Sequence, residues 1–412
     1  MAAVGLLALA LRLAYGLLLV QDDPLLGDGL AFHQIANLLA DGHGYSSPGP
    51  FLATGEEVPT ADKPPLYPLL LTPFSIISGG TWQAHQVAGA LIGTATVVAV
   101  GLLGRRLGGD RVGLVAAGLA ALYPVLVATD GSLRSESPFA LATALVLIAA
   151  YRFLDRTDAR RAAVLGAAIG LAALARSEAV ALLVLMVLPL AVRGAGEHRR
   201  RAALVAVSVA ACGLVLAPWL VRTWIQLDAP VAISTNSGGL LAGANCDQVY
   251  SGDFLGQWSF DCLPDNAGKS EAEASSDLRD KGLRYARDHA DRLHVVIPVR
   301  VMRTWELYRP RQQATFESFF EGRNLFLAQA GVAFYYLLVP LAIWGLVLLR
   351  RRGDTLVIMV APAVVVTLVS IGAYGFTRFR VAADVTLVAL AALALVALVE
   401  GRRRSPSPTE AS

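Results

Sequence analysis

The sequence is poor in charge. Asp, Glu, Lys and Arg make up 16% of its 412 residues, against about 25% in a soluble globular chain. So few polar groups cannot cover a water-facing surface, which excludes an ordinary soluble enzyme and a disordered protein. The formal net charge is only +3, with no basic stretch outside short loops, so a nucleic-acid binder is excluded too. Lysine is scarce: Lys63, Lys269 and Lys281 are the three among 35 basic residues. There are three cysteines and six histidines, with neither an HExxH helix nor a histidine cluster. A Walker sequence and a strand–GxGxxG–helix context are missing as well, which argues against a cytosolic nucleotide species as activated donor.

What is abundant is apolar. Hydrophobic residues reach 55% and the mean hydropathy is +0.55. A helix needs roughly 20 mostly apolar residues to cross a bilayer. Ten segments qualify: 4–20, 83–104, 112–128, 137–154, 162–175, 179–192, 202–221, 324–349, 355–377 and 381–399. The expected fold class is an all-α polytopic membrane protein with about ten transmembrane helices and extracytoplasmic loops that include a small mixed subdomain. The first segment runs into Gln21-Asp22-Asp23-Pro24 without a small-residue cleavage site, so it reads as a retained span. Segments 162–175 and 179–192 are short, but Arg152, Arg156, Arg160 and Arg161 precede them and Arg193 and Arg199 to Arg201 follow. Two basic flanks make the pair a hairpin with both ends inside. Arg105, Arg106, Arg111, Arg350 to Arg352 and Arg402 to Arg404 mark further cytoplasmic loops. The expectation is a multi-pass plasma-membrane protein with both termini cytoplasmic.

Four regions follow: 1–221 as membrane region with an acidic first external loop (21–82), 222–323 as an external subdomain, 324–400 as the last spans, and 401–412 as a disordered tail. Cys246 and Cys262 lie together on the oxidising side, where a disulfide is expected, with two unlinked thiols as the alternative. Ser270 and Glu273 form a capping-box pattern before a helix over Ala274 to Leu293. Leu293 to Tyr308 alternates apolar residues with Arg300, Arg303 and Arg309, carries Trp305 and Tyr308, and reads as a helix lying on the membrane surface.

Residues with chemical potential collect outside. Asp28, in Gly27-Asp28-Gly29, either caps a helix that ends at Gly42 or serves as a general base at the membrane surface. Lys63 lies in Thr60-Ala61-Asp62-Lys63-Pro64-Pro65-Leu66-Tyr67-Pro68; it either snorkels or supplies a cation to an interfacial phosphate. Pro68 and Pro73 should keep the apolar stretch 66–78 irregular or interfacial. Glu136 ends a charged turn (Asp130 to Glu136) at the edge of a span, where an ionisable group needs a cavity or a partner. Arg176 and Glu178 read as a structural pair. Arg378 and Arg380, flanked by aromatics, either anchor at headgroups or clamp a lipid phosphate. A donor reaching these groups has to be delivered by the membrane.

An acidic residue in the first external loop followed by an Asp62-Lys63-Pro64-Pro65-Leu66 stretch resembles the polytopic C-superfamily glycosyltransferases, in particular the bacterial protein O-mannosyltransferase and aminoarabinose-transferase (glycosyltransferase family 39-like) group. Leu174 to Glu178, Leu216-Ala217-Pro218-Trp219 with Arg222, Ile233 to Gly239, Gly243 to Cys246 and Arg378-Phe379-Arg380 are similar to actinobacterial members. The resemblance implies a polyprenyl-phosphate-linked sugar as donor and an extracytoplasmic acceptor as partner. It further implies Asp28 as catalytic acid–base residue, with Lys63, Arg378 and Arg380 at the donor phosphate. Glu136 and His33 are then the candidates for lining the cavity as second acid and neighbour. Many relatives carry a paired acid where this chain has Asp28-Gly29, so a divalent cation as cofactor stays open. The competing readings are a transporter or lipid flippase, which requires ionisable groups near the bilayer midplane or two related halves, and a membrane anchor for an assembly.

Overall fold

The computed structural model describes residues 1–20, 27–194, 196–227, 229, 231–264 and 268–404. Helix α1 (Ala2–Leu19) is the first long apolar element. Three shorter helices follow: α2 (Asp28–Ala40), α3 (Pro48–Thr54) and α4 (Leu66–Ser78). The bundle continues with α5 (Trp82–Leu122), α6 (Pro124–Gly131), α7 (Glu136–Asp155), α8 (Ala159–Ala175), α9 (Ser177–Gly194) and α10 (His198–Leu227). The long intervening segment holds α11 (Ser237–Ala244), α12 (Asp247–Tyr250), α13 (Glu271–Asp288), α14 (Leu293–Thr304) and α15 (Pro310–Glu321). Helices α16 (Leu325–Arg351), α17 (Val357–Gly372) and α18 (Val381–Arg404) complete the bundle.

Seven helices are long and apolar enough to cross a membrane among the described residues. One of them, α5, leaves helical geometry at Gly108-Gly109 and is in effect two rods. With the shorter α8 (17 residues) and α17 (16 residues), these account for the ten segments read from hydropathy.

Several expectations are corrected. No strand forms among the described residues, only an isolated bridge between Ser46 and Pro59, so the 222–323 segment is helical and not mixed. Its longest piece, α13, is rich in Glu, Ala, Arg and Leu and opens with the expected Ser270–Glu273 capping box, which favours helix. Stretch 66–78 is helical rather than irregular: Pro68 falls in its first turn, where a backbone N–H has no intrahelical partner to lose, and Pro73 is carried inside the helix. Helix α14 does not lie on a membrane surface with its arginines out. Arg300 and Arg303 are buried, donating to the carbonyls of Ala244, Leu255 (2.7 Å) and Asp253 (2.9 Å), so the basic face is satisfied by the loop packed on it. Gly401 to Arg404 continue α18, while the rest of the expected disordered tail lies outside the described residues. The Cys246–Cys262 disulfide is present, and Cys212 is a buried free thiol.

Between spans, apolar burial cannot drive association, because lipid is as apolar as the neighbouring helix; close packing and buried polar pairs must do it. Arg12 of α1 donates to Asp130 Oδ2 at the end of α6 (2.6 Å) and to the carbonyls of Ala8, Ala120 and Ala121. Ser137 of α7 donates to the second Asp130 oxygen at 2.5 Å. The pair fits only because α5 has Gly93 beside it: a Cβ there would sit 1.9 Å from Asp130 Oδ2 and 2.5 Å from Arg12 Nε. Gly93→Ala should therefore cost about 1–3 kcal/mol by overpacking. Arg12→Ala should cost about 3–5 kcal/mol by stranding the Asp130 charge. Thermal unfolding of the detergent-extracted chain checks both; an Arg12→Ala variant as stable as the parent would remove the pair from this role.

Candidate active site

Asp28 is the first residue of α2, behind Gly27 at φ 106°, and its side chain does not cap the helix. It is instead the meeting point of three cations. Lys63 Nζ lies 2.8 Å from Oδ1, while Arg378 Nη1 and Arg134 Nη1 lie 2.8 and 3.4 Å from Oδ2. Burial alone raises the Asp28 pKa, but Lys63, Arg378 and Arg134 outweigh it and hold the carboxyl well below the usual range. Lys63 behaves reciprocally: burial lowers its pKa, and the facing Asp28 and Asp62 (3.0 Å) raise it above the ordinary lysine value. Both groups are ionised at neutral pH.

The Asp28-Gly29 pair has a steric reason. A Cβ on residue 29 would stand 3.0 Å from the carbonyl oxygen of Ser132, so glycine lets the start of α2 press closely against the turn that presents Arg134. That turn is itself tight, with Leu133 at φ 49°.

Lys63 is held by a scaffold drawn from distant segments. Glu271, the first residue of α13, accepts from Thr60 Oγ1 (2.5 Å), the Ala61 N–H (2.8 Å) and Thr235 Oγ1 (2.6 Å). Arg222 donates to the carbonyls of Thr60 and Tyr45, at 2.5 and 2.6 Å, and stacks over Trp219 and Tyr45. Ser234 donates to the Asp62 carbonyl at 2.6 Å, and Tyr45 to that of Lys63 at 2.9 Å. The Pro218-Trp219/Arg222 and Ile233-to-Gly239 stretches thus clamp the Asp62-Lys63 loop.

Arg378 is the hub on the other side. Besides Asp28 it faces Glu321 (3.3 Å) and Glu136 (3.7 Å) and donates to the Tyr374 hydroxyl (2.8 Å). Glu136 is buried and takes a 2.6 Å bond from Arg176, which also binds Glu178 at 2.6 Å. The expected Arg176–Glu178 pair is therefore present, but Arg176 also belongs to the charged cluster through Glu136. Arg134 and Glu321 are cluster members that sequence reading did not select. Glu321 carried no signal, since it lies far along the chain in a polar helix; Arg134 was visible only as a charge in a short turn.

Two candidates are placed elsewhere. Arg380 is 1% exposed and points into the bundle, bonded to Asp384 (3.0 Å), 3.9 Å from Glu306 and against the Tyr335 ring. Its neighbour Arg378 takes the position at Asp28, because the 3₁₀ turn over Thr377–Arg380 sends the two side chains to different partners. His33 is one helical turn beyond Asp28, but its ring joins a closed polar circuit. His33 Nδ1 meets His85 Nδ1 (2.9 Å), His85 Nε2 meets Ser75 Oγ (2.8 Å), Ser75 donates to Asn37 Oδ1 (2.7 Å), and Asn37 Nδ2 meets His33 Nε2 (3.1 Å). Asn37 Nδ2 also reaches the Gly80 carbonyl at 3.2 Å, which fixes the amide orientation. The circuit ties α2 to α4 and α5 and so sets the height of Asp28.

A divalent cation does not suit this donor set. No group of three or more metal-ligating side chains occurs among the described residues. The Asp28 oxygens already face a lysine and two arginines, which would repel a second source of positive charge. What the cluster does suit is an anion. Arg134 Nε is a buried N–H group without a hydrogen-bond partner, and Arg378 Nε has only the Glu136 carboxylate at 3.7 Å, beyond hydrogen-bond distance; an oxyanion would relieve that cost.

Known proteins resemble the chain in sequence over one segment and in fold. Residues 62–222, which include Lys63, Arg134, Glu136 and the Arg222 clamp, match the family described as dolichyl-phosphate-mannose-protein mannosyltransferase. No curated protein matches the chain in sequence. In fold it is similar to the oligosaccharyltransferase AglB of Archaeoglobus fulgidus, solved with an inhibitory peptide and a dolichol-phosphate. The TM-score is 0.54 at 14% identity, over 98% of this chain and 52% of that one. The apo form of the Archaeoglobus fulgidus enzyme gives 0.55 at 15% identity, over 97% and 50%. ArnT from Cupriavidus metallidurans, bound to undecaprenyl phosphate, aligns over 99% and 80% at 16% identity with a TM-score of 0.42. The chain spans about half the length of the archaeal enzyme. The resemblance read from the Asp62-to-Leu66 stretch is borne out: the chain is similar to dolichyl-phosphate-mannose-protein mannosyltransferases over residues 62–222, a match that begins after Asp28, and shares the polytopic fold of the archaeal oligosaccharyltransferase.

Proposed function

We propose that the chain is a membrane glycosyltransferase that moves a hexosyl or pentosyl group from a polyprenyl-phosphate-linked donor to the hydroxyl of an extracytoplasmic acceptor. The observation that carries this reading is the convergence of Lys63, Arg134 and Arg378 on one buried carboxylate, with guanidinium N–H groups left over for an anion. The dolichol-phosphate in the archaeal neighbour supports a lipid-linked phosphate as that anion.

In this mechanism the acceptor oxygen attacks the anomeric carbon as the bond from that carbon to the phosphate oxygen breaks. The proton of the acceptor passes to Asp28, and the bonding electrons leave with the polyprenyl phosphate, whose charge rises by one. A single displacement of this kind inverts the anomeric centre. Lys63 and Arg378 stabilise the leaving phosphate, as fixed cations do at a developing charge. Asp28 bound to three cations is a weak base, and donor binding resolves this: the phosphate draws Lys63 and Arg378 towards itself, and the carboxylate becomes more basic when catalysis needs it. Because the protein's own cations occupy the space beside Asp28, chelation should leave transfer unchanged.

A carrier is the second reading. It requires ionisable groups deep in the bundle, and Arg12–Asp130 and Arg380–Asp384 are such groups. Each acid there faces its own arginine, which leaves the enzyme reading the stronger one.

Asp28→Asn should keep the fold and abolish transfer in membranes supplied with lipid-linked sugar; near-normal turnover would return Asp28 to a structural role. For Lys63→Ala a rate loss of roughly a hundredfold is expected, the effect of removing one fixed donor worth about 3 kcal/mol. A Lys63→Ala variant with parental rates at every donor concentration would leave the lysine a structural partner of Asp28 and Asp62 only. The pH profiles should also separate. kcat/KM reports the free enzyme, where Asp28 is held acidic, and kcat reports the donor complex, where it is released. The acid limb of kcat should therefore lie at higher pH than that of kcat/KM; coincident limbs would remove the release of Asp28 by donor.

A further inference from the structure

Glu321 is the last residue of α15, ended by Gly322 in the left-handed region at φ 63°. Its Oε2 lies 2.8 Å from Arg134 Nη1 and its Oε1 lies 3.3 Å from Arg378 Nη1. These are the same two nitrogens that reach Asp28 Oδ2, so two carboxylates and two arginines form a closed square of charge. The corner is rigidly set. Arg134 Nη2 donates to the Phe320 carbonyl at 3.2 Å, and Arg323 turns back to Glu317 (3.2 Å) and Thr129 (3.1 Å). The Glu321 side chain is 5% exposed, so water screens this pairing little.

We propose that Glu321 is a positioning residue that stands in for the donor phosphate. In the free enzyme it draws Arg134 to itself (2.8 Å, against 3.4 Å to Asp28) and shares Arg378 with Asp28 (3.3 Å, against 2.8 Å), and it competes with the incoming phosphate for both. This rests on the glycosyltransferase reading and assigns that site a second, opposing carboxylate. Two consequences follow from its charge. Without it the arginines bind an oxyanion more tightly, because one repulsive charge is gone. They also lean fully on Asp28 and retain the departing polyprenyl phosphate, so turnover falls. A residue that merely supports the fold would lower stability and rate without tightening anion binding.

The test uses the full chain in detergent with Glu321→Gln, and farnesyl phosphate as a short polyprenyl phosphate probe in calorimetric titration. Farnesyl phosphate should bind about tenfold more tightly to Glu321→Gln than to the parent. The variant should also show a lower KM for the lipid-linked sugar and a lower kcat. Glu321→Asp, which keeps the charge but shortens its reach, should shift both quantities in the same direction by less, and it keeps the test open if the glutamine variant does not fold. Unchanged or weaker binding in a folded variant overturns the role of Glu321 while leaving the enzyme reading intact. A parent chain that neither binds farnesyl phosphate nor transfers sugar overturns both.

Discussion

A charge removed from water must find a partner, and that constraint organises this molecule. Inside a bundle of apolar helices the attraction between opposite charges is strong, and an unpaired charge is costly. The chain therefore places its deep arginines against acids: Arg12 on Asp130, Arg380 on Asp384, Arg323 on Glu317 and Arg176 on Glu136. The square formed by Asp28, Arg134, Glu321 and Arg378 is the same solution with one difference. It lies at the end of the bundle, between α2, the α6–α7 turn, α15 and the start of α18, and it keeps N–H groups in reserve.

The surrounding architecture serves to hold that square and Lys63 in register. The Glu271 side chain bridges the loop before α4 to the segment before α11, and Arg222 at the end of α10 fastens the same loop from another side. The histidine circuit fixes α2 against α4 and α5. Each link joins segments far apart in sequence, so Lys63 and Asp28 reach a 2.8 Å separation without being local neighbours.

The electrostatics favour a two-stage site. Before donor arrives, the cations are occupied by carboxylates and Asp28 is strongly acidic. In the proposed mechanism an incoming phosphate replaces those contacts with its own and leaves Asp28 free to accept a proton. Such an exchange costs little, since each cation always has a counter-charge, and it couples donor binding to the appearance of the base. Metal assistance is not required by this scheme, because Lys63, Arg134 and Arg378 supply the positive charge.

Much of the fold was legible in the sequence, because each span is local information: a run of apolar residues of sufficient length between basic loops. Asp28, Lys63, Glu136 and Arg378 could be singled out for a related reason, as charges standing at the edges of such runs, although capping, snorkelling or headgroup anchoring explained most of them equally well. The helix over 66–78, the buried arginines of α14 and the helical 222–323 segment were misread, since each depends on what packs against it and not on its own composition. Arg380 shows the limit most clearly. Two arginines separated by one residue look equivalent in a motif, yet one reaches Asp28 and the other Asp384, according to a single 3₁₀ turn. By itself the sequence determined the membrane class, the spans and which charges stood out, because hydropathy and charge act locally. Only the tertiary structure decided that Arg134 and Glu321 complete the site, because pairing buried charges depends on distances that sequence separation does not encode.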